Sequence, residues 1–146
     1  MIENQLSSAI RDIFRPRGRF NVIQIRDGKV IDIWDDANVV TDEGLNYLLN
    51  AGLNGATQVD PWYVSLFESN YTPVGTETGA TLGGLLTECQ AYDEATRPAY
   101  DGATSSAQSV TNSASRAEFT INATKTVYGA ILSSGNTKGV YTGSTV

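Results

Sequence analysis

The sequence predicts a mainly β fold: a β-sandwich or jelly-roll-like domain with an N-terminal arm and helix and one short α-helix near residues 41–51. Three observations predict it. Residues 19–36 read as a β-hairpin around Asp27-Gly28, a dipeptide suited to a type I′ turn because both central positions need positive φ. Beyond residue 55, short apolar or alternating runs are separated by stretches rich in Gly, Ser and Thr, the pattern of several short strands. Only residues 41–52 combine a capping threonine, helical apolar spacing and a terminating glycine. The 146 residues divide into a basic arm and helix at 1–18 and a single β-rich domain at 19–146.

Taken in order, residues 3–14 place Leu6, Ala9, Ile10, Ile13 and Phe14 on one helical face, and Pro16 and Gly18 stop that helix. Pairing outward from the hairpin turn sets Ile25 opposite Val30, Gln24 opposite Ile31, Ile23 opposite Asp32, Val22 opposite Ile33 and Asn21 opposite Trp34. Phe20, Val22, Ile31 and Ile33 would then share one face, and Ile23, Ile25, Val30 and Trp34 the other. A hairpin solvated on one side is apolar on one side only. This one needs cover on both, expected mainly from its own fold and otherwise from another chain.

Thr41 suits an N-cap and Asp42 and Glu43 the positive end of a helix, with Leu45, Leu48 and Leu49 on one face and Gly52 at the end. Trp62–Phe67 reads as a strand, residues 71–84 as a long irregular loop, and residues 95–100 as an edge strand, because Pro98 cannot donate to a central ladder. Residues 101–115 offer at most one polar strand near 108–111. Residues 116–122 alternate with Ala117, Phe119 and Ile121 inward. Residues 126–132 are apolar on both faces and read as a central strand. Residues 140–146 are either a closing strand, a segment whose pairing a neighbour completes, or a shortened end.

The chemistry that is missing narrows function. There is no histidine, which removes the commonest general base and metal ligand. Cys89, the single cysteine, lies in Leu-Thr-Glu-Cys-Gln without a basic neighbour and reads as a buried structural thiol. Neither a phosphate-cradling glycine motif nor a zinc-ligand set occurs. The acidic pairs Asp35-Asp36 and Asp42-Glu43 are explained by a strand end and a helix start. Asp93-Glu94 remains as a carbohydrate-binding alternative. No enzymatic activity and no cofactor are expected. No apolar run reaches the roughly 20 residues a membrane span needs, so no membrane association is expected.

The net charge of −6 is uneven: residues 1–30 carry six basic and three acidic residues, the remainder four and thirteen. An acidic body repels phosphate, which argues against nucleic acid as a partner, while Arg11, Arg15, Arg17 and Arg19 suit an acidic protein surface. These arginines, with Phe20, Ile23, Ile25, Val30 and Trp34, are the candidate protein-interface residues; Trp62 and Tyr63 are aromatic candidates that a strand core would also bury.

Four segments carry a resemblance. They are residues 18–50 with Phe20-Asn-Val-Ile-Gln-Ile-Arg-Asp-Gly-Lys-Val-Ile-Asp-Ile-Trp34, residues 57–67 with Pro61-Trp-Tyr-Val-Ser-Leu-Phe67, Tyr92-Asp-Glu-Ala-Thr-Arg-Pro-Ala-Tyr100, and residues 109–139 with Ser115-Arg-Ala-Glu-Phe-Thr-Ile-Asn122. In whole-segment texture, covering most of residues 18–139, the chain resembles small virion structural proteins of tailed bacteriophages. That resemblance implies a capsid decoration, or cement, protein with a jelly-roll-like fold. It implies the major capsid protein as partner, a homodimer or homotrimer, and synthesis in the host bacterial cytoplasm before assembly on the capsid surface. A tail, fibre or adaptor component using loops 71–84 and 101–115 is the alternative. Similar proteins continue past Lys138-Gly139 with further strand, abbreviated here, and residues 1–19 fall outside the resemblance.

Overall fold

The computed structural model describes residues 16–146; the helix expected over residues 3–14, with Arg11 and Arg15, lies outside the described residues. The chain parts between Val40 and Thr41 into two compact units. Its described secondary structure is mainly β, with two small antiparallel sheets, five strands and two short helices.

The first unit holds β1 (Gly18–Arg26) and β2 (Lys29–Asn38), paired antiparallel as a two-stranded sheet. Asp27 and Gly28 take φ of 50° and 71°, the positive pair that the turn requires. The expected register holds for Arg26↔Lys29 and Ile25↔Val30 and then slips, so that Gln24 meets Asp32, Ile23 meets Ile33, Val22 meets Trp34 and Phe20 meets Asp36. An irregularity between Gln24 and Ile25 leaves Ile31 as the extra residue, the two-against-one count of a β-bulge. This corrects the face assignment. Trp34 shares a face with Phe20 and Val22, not with Ile23, Ile25 and Val30, and Ile33 crosses to join the latter. Each face keeps apolar residues, with Gln24, Asp32 and Asp36 beside Phe20, Val22 and Trp34 on one and Arg19, Asn21 and Asp35 beside Ile23, Ile25, Val30 and Ile33 on the other.

In the second unit, α1 (Asp42–Leu53) starts where expected, with the Thr41 hydroxyl accepting from the Gly44 backbone N–H at 2.9 Å. Strand β3 (Trp62–Phe67) is the centre of a three-stranded sheet, flanked by β4 (Ala99–Tyr100) and β5 (Gly129–Ser133). The edge position of β4 agrees with Pro98. The segment expected as the central strand is instead the edge strand β5, and the expected run 126–132 enters the sheet only at Gly129. Gly129 is opposite Phe67, and a Cβ there would stand 2.5 Å from the ring. This close packing against the aromatic ring requires glycine at the start of β5.

Other expectations also change. Residues 71–84 are not wholly irregular: α2 (Gly79–Leu85) begins after Thr78, whose backbone N–H donates to Thr81 Oγ1 at 3.0 Å. The glycines at 79, 83 and 84 mask the Leu82–Leu86 spacing that buries its face in the core. Residues 116–122 contribute only the bridge Tyr92↔Ile121, and residues 106–109 only the bridge Ser106↔Ser109. No closing strand forms over 140–146. There, Tyr141 is buried and Ser134 N–H donates to Thr145 O at 3.0 Å. The core gathers Phe67, Leu82, Leu86, Ile131 and Tyr141, with Tyr71 and Val146 packed against it.

Candidate protein-binding site

The hairpin's exposure follows from its composition. Two strands pair their backbones and no other described strand joins them, and the β-branched side chains at Ile25, Val30, Ile31 and Ile33 are exposed, Ile25 at 63% and Ile33 at 59%. Phe20, Val22 and Ile23 are half-buried, and Trp34 remains exposed. Among the described residues, β2 apart from Asn38 and the turn end of β1 are exposed. Isolated two-stranded hairpins are marginal in water, and contiguous exposed apolar surface marks interaction sites.

The candidate residues other than Arg11 and Arg15, which lie outside the described residues, can be placed. Ile23, Ile25 and Val30 share one face; Phe20 and Trp34 share the other. Arg17 precedes β1 and is exposed. Arg19 lies across the base of the hairpin, its Nε donating to both Asp35 carboxylate oxygens at 3.0 and 3.1 Å. The hydrogen bonds and charge of Asp35 raise the Arg19 pKa. Both partners are solvated, so water and salt screen this pair and it contributes little to stability. Trp62 and Tyr63 lie half-buried in β3, and Trp62 packs edge-on against Tyr47 with ring centroids 5.2 Å apart; both belong to packing in the second unit.

Sequence reasoning assigned Leu48 and Leu49 to a helix face, yet they are exposed, and Leu53 is 83% exposed. Beside them, Tyr47, Leu48, Ala51, Gln58, Val59 and Trp62 line a shallow groove of about 290 Å³. The i, i+3, i+4 spacing of Leu45, Leu48 and Leu49 is that of one packed face, so nothing in the sequence signalled this exposure.

The titratable groups of the second unit build structure. Arg97 is 1% exposed and clamps Glu88 with two hydrogen bonds, Nε to Oε1 at 2.9 Å and Nη2 to Oε2 at 2.6 Å. It also donates to the carbonyls of Gly135 and Val140 at 2.8 and 3.0 Å, and its guanidinium lies 4.2 Å from the Tyr141 ring centroid. Glu88 Oε2 accepts from Gly139 N–H at 2.7 Å. Burial pushes the Tyr141 hydroxyl up to about 12, outweighing its 2.7 Å hydrogen bond with Ser65. Burial likewise pushes Tyr92 up to about 12, with the Glu88 charge adding to it. Cys89 is fully buried and its thiol is pushed up mainly for that reason.

Asp93 Oδ1 accepts from the Asn122 side chain at 2.8 Å, and both Glu94 oxygens accept from Thr120 N–H at 3.1 Å. Burial raises the Glu94 pKa, but the Thr120 hydrogen bonds prevail and lower it overall. These carboxylates hold residues 120–122 in place. Among the described residues no group of three or more His, Cys, Asp or Glu side chains is placed to hold a metal ion, and no helix is long and apolar enough to cross a membrane. The chain matches no protein-family model, no curated protein and no solved structure.

Proposed function

We propose that this chain is a non-enzymatic virion structural protein, a capsid decoration or cement protein that binds the outer shell and stabilises contacts between major capsid protein subunits. The observation that carries the proposal is the hairpin with exposed apolar side chains on both faces. A cement protein works by burying area across joints between subunits and needs anchors rather than a titrating base; such interfaces bury about 1,200–2,000 Å² around a few aromatic or arginine anchors. Phe20, Ile23, Ile25, Val30, Trp34 and the arginines at 17 and 19 are those anchors. The resemblance of residues 18–139 to phage virion proteins supplies the class of partner. Self-association into a dimer or trimer and residence on the capsid surface, after synthesis in the bacterial cytoplasm, belong to the same proposal.

The finer fold reading belongs to it too. What supports a jelly-roll-like arrangement of the second unit is further extended pairing outside its sheet: the bridge Phe67↔Glu88 at the end of β3 and the separate bridge Tyr92↔Ile121. Cryo-electron microscopy of particles carrying the protein tests the assignment. Density spread over the outer lattice, with residues 18–38 bridging neighbouring subunits, is the expected result. Density confined to the tail or to a unique vertex overturns it in favour of a tail, fibre or adaptor component.

A further inference from the structure

One face of the hairpin carries two facing columns of side chains. Phe20, Val22 and Gln24 stand along β1, and directly across from them Asp36, Trp34 and Asp32 stand along β2. Trp34 is thus bracketed on its own strand by a carboxylate two residues away on either side, about 7 Å in each direction. The indole is exposed, and none of the described ring or cation–π contacts involves it. Each carboxylate is engaged at one oxygen only: Asp32 Oδ1 accepts from Ile33 N–H at 2.9 Å and Asp36 Oδ1 from Ala37 N–H at 2.8 Å. Among the described residues neither aspartate has an ion-pair partner.

The hairpin's own cations are placed elsewhere. Arg19 lies on the opposite face and is engaged by Asp35. Arg17 precedes β1, and Arg26 and Lys29 stand opposite each other at the turn end without an ion pair to Asp32. The opposite face offers no equivalent site, since Asp35 is already taken by Arg19 and no aromatic residue stands beside it.

We propose that the Trp34 face is a receptor for one arginine side chain presented by the partner, its guanidinium on the indole and its N–H groups turned to Asp32 and Asp36. The inference rests on the reading of the hairpin as a protein-docking element and names what the docked surface must offer. An aromatic face attracts a cation, arginine more often than lysine. The guanidinium is planar and weakly hydrated, so stacking leaves the donors at its rim free to meet carboxylates beside the ring, whereas an ammonium is a strongly hydrated point charge. Phe20 and Val22, across the strand pair from Asp36 and Trp34, offer an apolar wall to the methylene stem. A shared metal ion does not fit: Asp32 and Asp36 lie four residues apart on one strand, about 13 Å, while oxygen ligands approach a calcium ion to about 2.3–2.6 Å.

The test is a titration of the full chain with Nα-acetyl-arginine amide, followed by two-dimensional NMR, in which the indole N–H groups of Trp34 and Trp62 report separately. The Trp34 signal is expected to move and saturate while the Trp62 signal stays, and citrulline amide, of the same shape without the charge, moves neither. Asp32→Asn with Asp36→Asn keeps both Oδ1 acceptors and should weaken arginine binding about fivefold, the worth of two solvated ion pairs. Asp101→Asn with Glu118→Gln removes two exposed carboxylates of the second unit and should leave binding unchanged. A stationary Trp34 signal, equal binding of citrulline or lysine amide, undiminished binding to the Asp32→Asn, Asp36→Asn variant, or equal weakening in both double variants overturns the proposal. Particle binding separates it from the capsid reading. If the native chain does not bind particles, the capsid reading falls while the arginine response stands. If it binds and the Asp32→Asn, Asp36→Asn variant binds equally well, the arginine site falls while the capsid reading stands.

Discussion

The two units distribute polarity in opposite ways. The second buries an arginine and a glutamate, Arg97 at 1% and Glu88 at 6% exposure, while the first holds isoleucines in solvent. Both would be costly placements in isolation, and only one is offset within the described chain. Arg97 and Glu88 satisfy each other, two carbonyls and the Gly139 N–H, so the buried charge fastens the loop over 134–141 to β5 and the Glu88 segment. The hairpin has no comparable internal partner for Ile25, Val30 or Ile33. A buried charge can thus be a self-contained structural device, whereas the apolar surface of the two-stranded sheet is left exposed among the described residues, and its completion by another chain belongs to the proposed function.

The contrast can be broken most severely at Arg97. Arg97→Ala leaves Glu88 buried without its cation and should cost about 3–5 kcal/mol, read as a lowered midpoint of denaturant unfolding of the second unit. Trp34→Ala should sharpen the contrast from the other side. Binding to particles falls by about 2 kcal/mol, near thirtyfold, while the unfolding midpoint of the second unit does not move; a variant that unfolds outright refutes the surface-anchor role.

High pH separates the units as well. Tyr141 and Tyr92 titrate near 12 when folded and near 10 when unfolded, so the unfolded chain releases their protons first. Stability tied to both is complete below pH 10 and is lost as pH rises towards 12. Tyrosinate absorbance and unfolding of the second unit should rise together in that window. The smallest effect is expected at the helix start: Thr41→Ala removes the cap on Gly44 and should cost about 1 kcal/mol, confined to the second unit.

How much of this was legible in the sequence depended on whether a signal was local. Asp27-Gly28 fixes its turn, and Thr41 with Asp42 and Glu43 fixes the start of α1, because turn and cap chemistry act within a few residues. The bulge at Ile31 was illegible: the strand alternates apolar residues equally well on either face, so nothing in the pattern penalises the slip that moves Trp34 and Ile33. Helix α2 was hidden by its glycines, since its stability comes from burying Leu82 and Leu86 rather than from propensity. Residues 116–122 show the reverse case, a strand pattern without a full-length strand partner, reduced to one bridge at Ile121. The apolar hairpin was legible as a set, because apolar residues on both faces survive the register error. The Glu88–Arg97 pair was not, since its members stand nine positions apart along irregular chain and no periodicity links them.

The most direct test of the central claim, that the hairpin is completed by other chains, is amide hydrogen–deuterium exchange of the full chain across a dilution series into the monomer range. The account predicts that amides of residues 18–38 gain protection as concentration rises while those of 62–67 and 129–133 stay protected throughout. Hairpin amides as slow in the dilute monomer as in the concentrated sample would show that the chain covers its own hairpin, and would contradict the account.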